Sequence, residues 1–238
     1  DAKSILYTSS EEKRLAKKSF YPFNVKEKVI GYGIKGNLFN INRNNNSFFK
    51  RFPKTKNKKI ILFFGRVHEK KGLDILIKCF IKTFNKKANF HLVIAGPYTR
   101  KSFKELNGLI KDPQINRSIT WTGPLFDKLK WDTYISSEIF CLPSHQENFG
   151  ISVAEAMSCK KPLIITNKVN IWKTIRKDSV GFISNDSFPS FYLSFKKYLK
   201  LDKIEYKEYS KNSYNCFIKN FHMKPIAEKF VNYLRDEV

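Results

Sequence analysis

Lys59-Ile60-Ile61-Leu62-Phe63-Phe64-Gly65-Arg66-Val67-His68-Glu69-Lys70-Lys71-Gly72-Leu73 is the stretch from which the fold can be read. Ile60 to Phe64 is an unbroken apolar run, so it makes a strand covered on both faces, since a half-exposed strand would alternate with polar side chains. After the Gly65-Arg66 turn, Leu73, Ile75, Leu76, Ile77, Cys79 and Phe80 fill one side of a helix. A buried strand, a turn and an amphipathic helix together open a βαβ unit.

The alternation continues downstream. Residues 90–95 read as the second strand, 103–110 as a helix, 118–122 as the third strand and 129–135 as a helix. Residues 139–142 are the fourth strand, 151–158 a helix, 162–165 a further strand and 180–183 a last short one before an all-helical tail. This order predicts an α/β fold, a Rossmann-like doubly wound parallel sheet with a helical C-terminal tail. Upstream, Ile5-Leu6-Tyr7 is a strand, and Thr8-Ser9-Ser10 then caps a helix whose first turn carries Glu11 and Glu12, as the helix dipole favours. Val29-Ile30 is a second short strand running into Gly31-Tyr32-Gly33-Ile34. Residues 36–57, rich in Asn, Lys and Arg, show no core-facing period and read as a linker that marks the domain boundary. In the tail, Phe217, Phe221, Ile226, Ala227, Phe230, Val231 and Leu234 fall on helical spacing around Pro225.

The 238 residues carry 45 Lys+Arg against 21 Asp+Glu, a net charge of +24 that favours phosphates, anionic headgroups or nucleic acid. Lysines are spread along the whole chain beside abundant Asn, Ile and Phe, a pattern that compositional bias also produces. With no nucleic-acid fold signature, nucleic acid is not expected as a partner. Cys79, Cys141, Cys159 and Cys216 lie far apart among apolar or small residues and read as the reduced thiols of a cytoplasmic protein. No run approaches the ~18–20 continuous apolar residues of a membrane span, and no signal-peptide layout opens the chain, so membrane contact is expected to be peripheral. The first residue is Asp1 rather than Met, as in a piece of a longer protein.

Two loops concentrate the chemistry. Gly65-Arg66 ends the first strong strand and Lys71-Gly72 stands at the start of the next helix: glycine admits backbone, a helix start offers free N–H groups, and two cations lean over one point, which suits a diphosphate. There is no G-x-G-x-x-G and no Walker loop, and taken alone the feature reads better as surface cations at a helix start. The fourth strand ends at Leu142-Pro143-Ser144, and Glu147-Asn148-Phe149-Gly150 leads into the helix that carries Glu155. In a doubly wound sheet the loops after the first and fourth strands flank the switch point where ligands bind, so the two loops converge. Glu155 follows Ile151 by one helical turn and can return toward the Glu147 loop, while the N–H groups of Phe149, Gly150 and Ile151 stay free. Carboxylates suit the hydroxyls of a sugar or ribose. Two dipole-stabilised helix-end acids would be the simpler reading, but it leaves unexplained the intervening Phe149-Gly150 and the slim face of Ala154, Ala156, Met157 and Cys159. No His, Cys or Asp cluster has metal-ligand spacing, so no intrinsic metal or cofactor is expected. His68 lies in the phosphate loop, and His91, His145 and His222 read as structural.

With these motifs the sequence resembles the retaining glycosyltransferases of the GT-B fold, family four, glycosyl transferases group 1. The resemblance rests on Gly65-Arg66-Val67 with Glu69-Lys70-Lys71-Gly72, on Val93-Ile94-Ala95-Gly96, and on Glu147-Asn148-Phe149-Gly150 running to Glu155-Ala156-Met157, the E-x7-E pattern. Thr8-Ser9-Ser10-Glu11 and Tyr32-Gly33-Ile34 also look like the family's segment that ends the N-terminal domain, with Tyr32 where Asn is frequent. It implies that Arg66, Lys71 and Glu147 are catalytic: the two cations hold the donor diphosphate, and Glu147 contacts the transferred sugar. Glu155 would bind the ribose. Gly65, Asn148, Phe149, Gly150 and Ile151 would complete the donor contacts, and Gly96, Pro97 and Leu125 would border the base. The implied division is 1–35 as the end of an acceptor domain, 36–57 as linker, 58–210 as donor domain and 211–238 as a helix crossing back. The donor would be a UDP-, GDP- or ADP-sugar, and a saccharide or glycolipid acceptor would be held by the rest of the N-terminal domain. The setting would be cell-envelope polysaccharide or glycolipid synthesis at the cytoplasmic face of the membrane, with this portion inactive by itself. The rival reading is a nucleotide-binding or interaction fragment without activity of its own.

Overall fold

The computed structural model describes residues 3–19, 25–37, 46–84 and 89–236. A lead-in of β1 (Ser4–Tyr7), α1 (Ser10–Ser19) and β2 (Lys26–Val29) forms a two-stranded parallel sheet, with Ser4 opposite Lys26 and Tyr7 opposite Val29. After α2 (Asn46–Arg51) and a 3-10 turn at Pro53–Thr55 comes the main body: β3 (Lys59–Phe64), α3 (Leu73–Thr83), β4 (Phe90–Ala95), α4 (Arg100–Asn107), α5 (Pro113–Arg117), β5 (Ile119–Gly123), α6 (Asp127–Ser136), β6 (Ile139–Leu142), α7 (Ile151–Ser158), β7 (Leu163–Thr166), α8 (Trp172–Lys177), β8 (Gly181–Ser184) and α9 (Phe188–Leu199). The chain ends in α10 (Lys203–Asn220) and α11 (Met223–Asp236).

All pairings in the six-stranded sheet are parallel, and the strand order is β5-β4-β3-β6-β7-β8. Numbered from β3, that is the doubly wound order 3-2-1-4-5-6. Right-handed crossovers that first run one way from β3 and later the other way from β6 put helices on opposite faces, where α3 packs on α9 and α7 on α10. Ile60, Ile61, Leu62 and Phe63 on β3 are fully buried, as are Ile139 to Leu142 on β6, so the unbroken apolar runs are explained by cover on both faces. All four cysteines are buried in this core. No helix among the described residues is long and apolar enough to cross a membrane.

Two features differ from the sequence reading. The 36–57 segment was expected to lack a core-facing side; residues 38–45 of it lie outside the described residues, but α2 inserts Phe48 completely into the core, against Phe49 and Phe52 and beside α6. A helix of six residues is too short to show a period, so the signal could not appear. The tail reads in the sequence as one helix, 211–238, patterned around Pro225. It breaks earlier, where the N–H groups of Phe221 and His222 both turn back to Phe217 O at 2.9 Å, and Pro225 sits in the first turn of α11, where its missing N–H costs nothing. After the break, α11 lies against the lead-in: Ile34 N donates to Phe221 O (2.9 Å), Met223 N donates to Ile34 O (3.0 Å), and Ile226 packs on Gly31 and Gly33.

The lead-in is also pinned by charge. Glu11, only 6% exposed, is ion-paired with Arg14 (3.0 Å from Nε) and with Lys173 on α8 (2.8 Å). The Arg14 hydrogen bond first, and then Lys173, outweigh burial and hold the Glu11 carboxyl at about 2, down from 4.5. As pH falls the unfolded chain takes up this proton before the folded one, so the stabilisation is whole above about 4.5 and fades toward about 2. Glu11→Gln is therefore expected to lower the thermal midpoint at neutral pH, and the gap to the wild type to close across that acid window in melts followed by circular dichroism. A gap that persists undiminished at its acid end overturns this account.

Candidate active site

The strand order reverses at one place, between β3 and β6, and both chemistry-bearing loops leave the sheet there, at the carboxyl ends of the strands. Gly65 N donates to Ala95 O, Val67 N to Pro97 O and Gly96 N to Gly123 O, each at 2.9 Å, so the loops after β3, β4 and β5 are tied side by side. Two glycines permit this closeness. Gly96 (φ 133°) would place a Cβ 2.0 Å from Gly65 O, and Gly72 (φ 62°) would place one 2.1 Å from Pro143 O, so any side chain would push the loops apart. From the β6 side, His145 N and Ser144 Oγ both donate to Lys70 O at 2.8 Å.

Lys71 and Glu147 meet directly across the switch point in an ion pair, their side chains 21% and 18% exposed. Glu147 is held by its own backbone, whose N–H donates to Lys168 O and whose carbonyl accepts from Asn170 N, both at 3.0 Å. Arg66 is exposed and makes no ion pair or hydrogen bond among the described residues. The backbone N–H groups of Phe149, Gly150 and Ile151 likewise have no acceptor among the described residues, so the start of α7 presents a row of open donors. Phe149 itself is buried, its ring centroid 5.2 Å from that of Tyr32 in the lead-in and 5.7 Å from that of Phe221 in the tail. Asn148 Nδ2 donates to Glu12 Oε1 (2.9 Å), and its Oδ1 accepts from Asn170 Nδ2 (3.1 Å). Burial alone would raise the Glu12 carboxyl, but hydrogen bonds from Thr8 and Asn148 outweigh it and hold it below its usual value. A cleft of about 690 Å³ lies between α1 and the loop bearing Glu147 and Asn148.

Glu155 is buried on α7, and its hydrogen-bonding partners lie on α6 rather than in the Glu147 loop: Tyr134 Oη donates to Oε2 at 2.9 Å, and Lys130 Nζ pairs with Oε1. Each acid of the E-x7-E pair thus has its own cation. The sequence reading singled out neither Lys130 nor Tyr134, although their spacing of one helical turn puts them on one face of α6. Leu125 is buried after β5, and Pro97 is exposed at the rim. Of the histidines, His91 is buried with Nε2 2.8 Å from Thr120 Oγ1, and burial pushes it down to about 4. His145 Nδ1 lies 3.2 Å from Asp186 Oδ2, and His222 Nδ1 accepts from Lys224 N at 3.3 Å, both contacts that tie loops or helix starts. His68 is exposed beside Lys70, whose N–H donates to its Nδ1 at 3.2 Å.

Two cations, a carboxylate and a row of open backbone donors at one crevice can take a dianionic diphosphate, and the second carboxylate can accept hydroxyl donors. Known proteins resemble this chain in sequence and in fold. A probable sucrose-phosphate synthase of Thermosipho melanesiensis is 26% identical over 226 residues, 91% of this chain and 49% of that protein. Among solved structures, a glycosyltransferase from Rickettsia africae superposes with TM-score 0.85 at 20% identity over 98% of this chain and 63% of that one. Anabaena HepE, solved in complex with UDP and glucose, superposes with TM-score 0.80 at 16% identity over 98% of this chain and 63% of that one. The chain thus spans about half the length of the curated relative and under two thirds of the structural neighbours. Residues 44–215 match the family described as glycosyl transferases group 1, and the chain belongs to that family.

Proposed function

We propose that this chain is the donor-binding part of an enzyme that moves a sugar from a UDP-, GDP- or ADP-sugar to an acceptor hydroxyl, with retention at the anomeric carbon. The observation that carries the reading is the meeting of Lys71 with Glu147 at the switch point, with the exposed Arg66 on the same loop as Lys71 and the open N–H groups of residues 149–151 two residues beyond Glu147. In the reaction the bond from the sugar's anomeric carbon to the diphosphate oxygen breaks and a bond to the acceptor oxygen forms. The acceptor hydroxyl gives up its proton to the departing diphosphate, on which the negative charge gathers. Arg66, Lys71 and the start of α7 stabilise that charge where it develops, the kind of term that dominates group transfer from a good leaving group. Glu147 orients the sugar, Glu155 accepts from the ribose, and Gly96, Pro97 and Leu125 edge the base. A saccharide or glycolipid acceptor of the cell envelope, held by a domain built onto the lead-in, suits the family, and the charge of +24 suits work beside anionic headgroups on the cytoplasmic side of a membrane.

Titration of the chain with UDP, GDP and ADP tests the reading: at least one is expected to bind and to raise the thermal midpoint. Arg66→Ala, losing a charge-assisted contact to phosphate, is expected to weaken that binding by about tenfold or more; unchanged affinity sinks its assignment. Glu147 competes with the diphosphate for Lys71, so Glu147→Gln is expected to bind the free nucleoside diphosphate about two- to fivefold more tightly, while the protein extended by its acceptor domain transfers sugar more slowly. Weaker diphosphate binding by Glu147→Gln, measured by calorimetry, would show that the carboxylate supports the phosphate site instead.

A further inference from the structure

Glu155 is a buried acid on α7, and the way it is held carries more than its presence does. We infer that Tyr134 and Lys130 are positioning residues that fix the Glu155 carboxylate as a two-oxygen acceptor for a vicinal diol, and so set the preference of the site for ribonucleotides over nucleotides that lack those hydroxyls. The inference rests on the donor reading above and adds to it two residues outside the recognised motifs.

A carboxylate offers about four lone-pair directions, two on each oxygen. Tyr134 Oη takes one on Oε2 and Lys130 Nζ takes one on Oε1, which leaves one acceptor direction on each oxygen. The terminal torsion of a glutamate is broad and nearly unrestrained by itself, so a free Glu155 would present its two oxygens in many orientations. Two donors from one face of α6 remove that freedom. Tyr134 is able to act as a fixed post because it cannot move: it is 0% exposed, and its ring is stacked on Phe64 at 4.9 Å between centroids and 19° between planes. Phe64 is the last residue of β3, directly before Gly65 and Arg66, so one aromatic stack ties the diphosphate loop to the ribose acid. Burial and the neighbouring Glu155 push the Tyr134 phenol well above its usual range, which keeps it a donor. Lys130, with a side chain 25% exposed and its ammonium 4.8 Å from the Trp131 ring centroid, supplies the counter-charge that a buried carboxylate needs. A purely structural tie between α6 and α7 would be indifferent to the ligand.

The ligand therefore decides the matter. Calorimetry on the wild-type chain, Tyr134→Phe and Lys130→Met would use UDP, GDP and ADP, then the 2′,3′-dideoxy counterpart of each one that binds. Each variant is expected to bind the ribonucleotide about tenfold more weakly and the dideoxy form as the wild type does, so that discrimination between the two shrinks. Equal losses for both ligands, or no loss for either, overturn the inference. Failure of the wild type to bind any of the three overturns the donor reading itself, and the inference falls with it. Melting curves accompany each titration; if Tyr134→Phe does not fold, Lys130→Met, at a partly exposed position, decides alone.

Discussion

Cover on both faces of β3 is the constraint on which the rest of the structure depends. A strand with Ile60, Ile61, Leu62 and Phe63 fully buried cannot lie at an edge, so chain must be added on either side of it. Short right-handed crossovers add β4 and β5 on one side, and the chain then has to return past β3 to place β6 on the other. That return creates the reversal, and with it a crevice into which the loops after β3 and β6 both open. Placing Lys71 opposite Glu147 follows from where apolar residues had to go, not from any attraction between the two side chains.

Closeness at the crevice then rests on backbone. Backbone hydrogen bonds lace the β3, β4 and β5 loops, and glycines at 72 and 96 let carbonyls of neighbouring loops sit where a side chain would otherwise stand. The charges arrive on a frame already closed. Lys71 is neutralised by Glu147 and Glu155 by Lys130, so neither acid is buried without a cation, while Arg66 and the N–H groups at the start of α7 are left without protein acceptors among the described residues. The frame therefore carries a surplus of donors on the loop after β3 and at the start of α7, and spare acceptor capacity at the buried Glu155.

Much of this was legible in the sequence, and the limits have physical causes. The strands 90–95 and 139–142 and the helix 151–158 stand where their apolar runs put them, because long buried runs and a helix opened by Gly150 leave little choice. The pairing of the β3 and β6 loops followed from topology. Phe48 was missed because one large side chain on a helix of six residues makes no pattern. The break at Phe221 was missed because Pro225 is the more conspicuous residue, although proline in a first turn does no harm. Lys130 and Tyr134 were missed for a different reason: Tyr134 reads as core, which it is, and only the fold reveals that its hydroxyl ends at Glu155.

The lead-in and tail bear on the site more directly than their distance along the chain suggests. Phe149 is wedged between Tyr32 and Phe221, and Asn148 is bonded to Glu12, so the Glu147 loop is gripped by segments from both ends of the chain. Glu12 is in turn held by Thr8, whose N–H and hydroxyl both donate to Oε2 at 2.6 Å, and α11 closes the loop by packing Ile226 on Gly31 and Gly33. A shift of β1, α1 and β2 relative to the main sheet would therefore pull on Asn148 and Phe149 before it disturbed any strand of that sheet. Backbone donors at residues 149–151 would move with them, and Lys71 would feel the shift through its ion pair with Glu147. The geometry of the crevice is thus set by the lead-in and tail as well as by the main sheet, and the loops after β3 and β6 alone do not determine it.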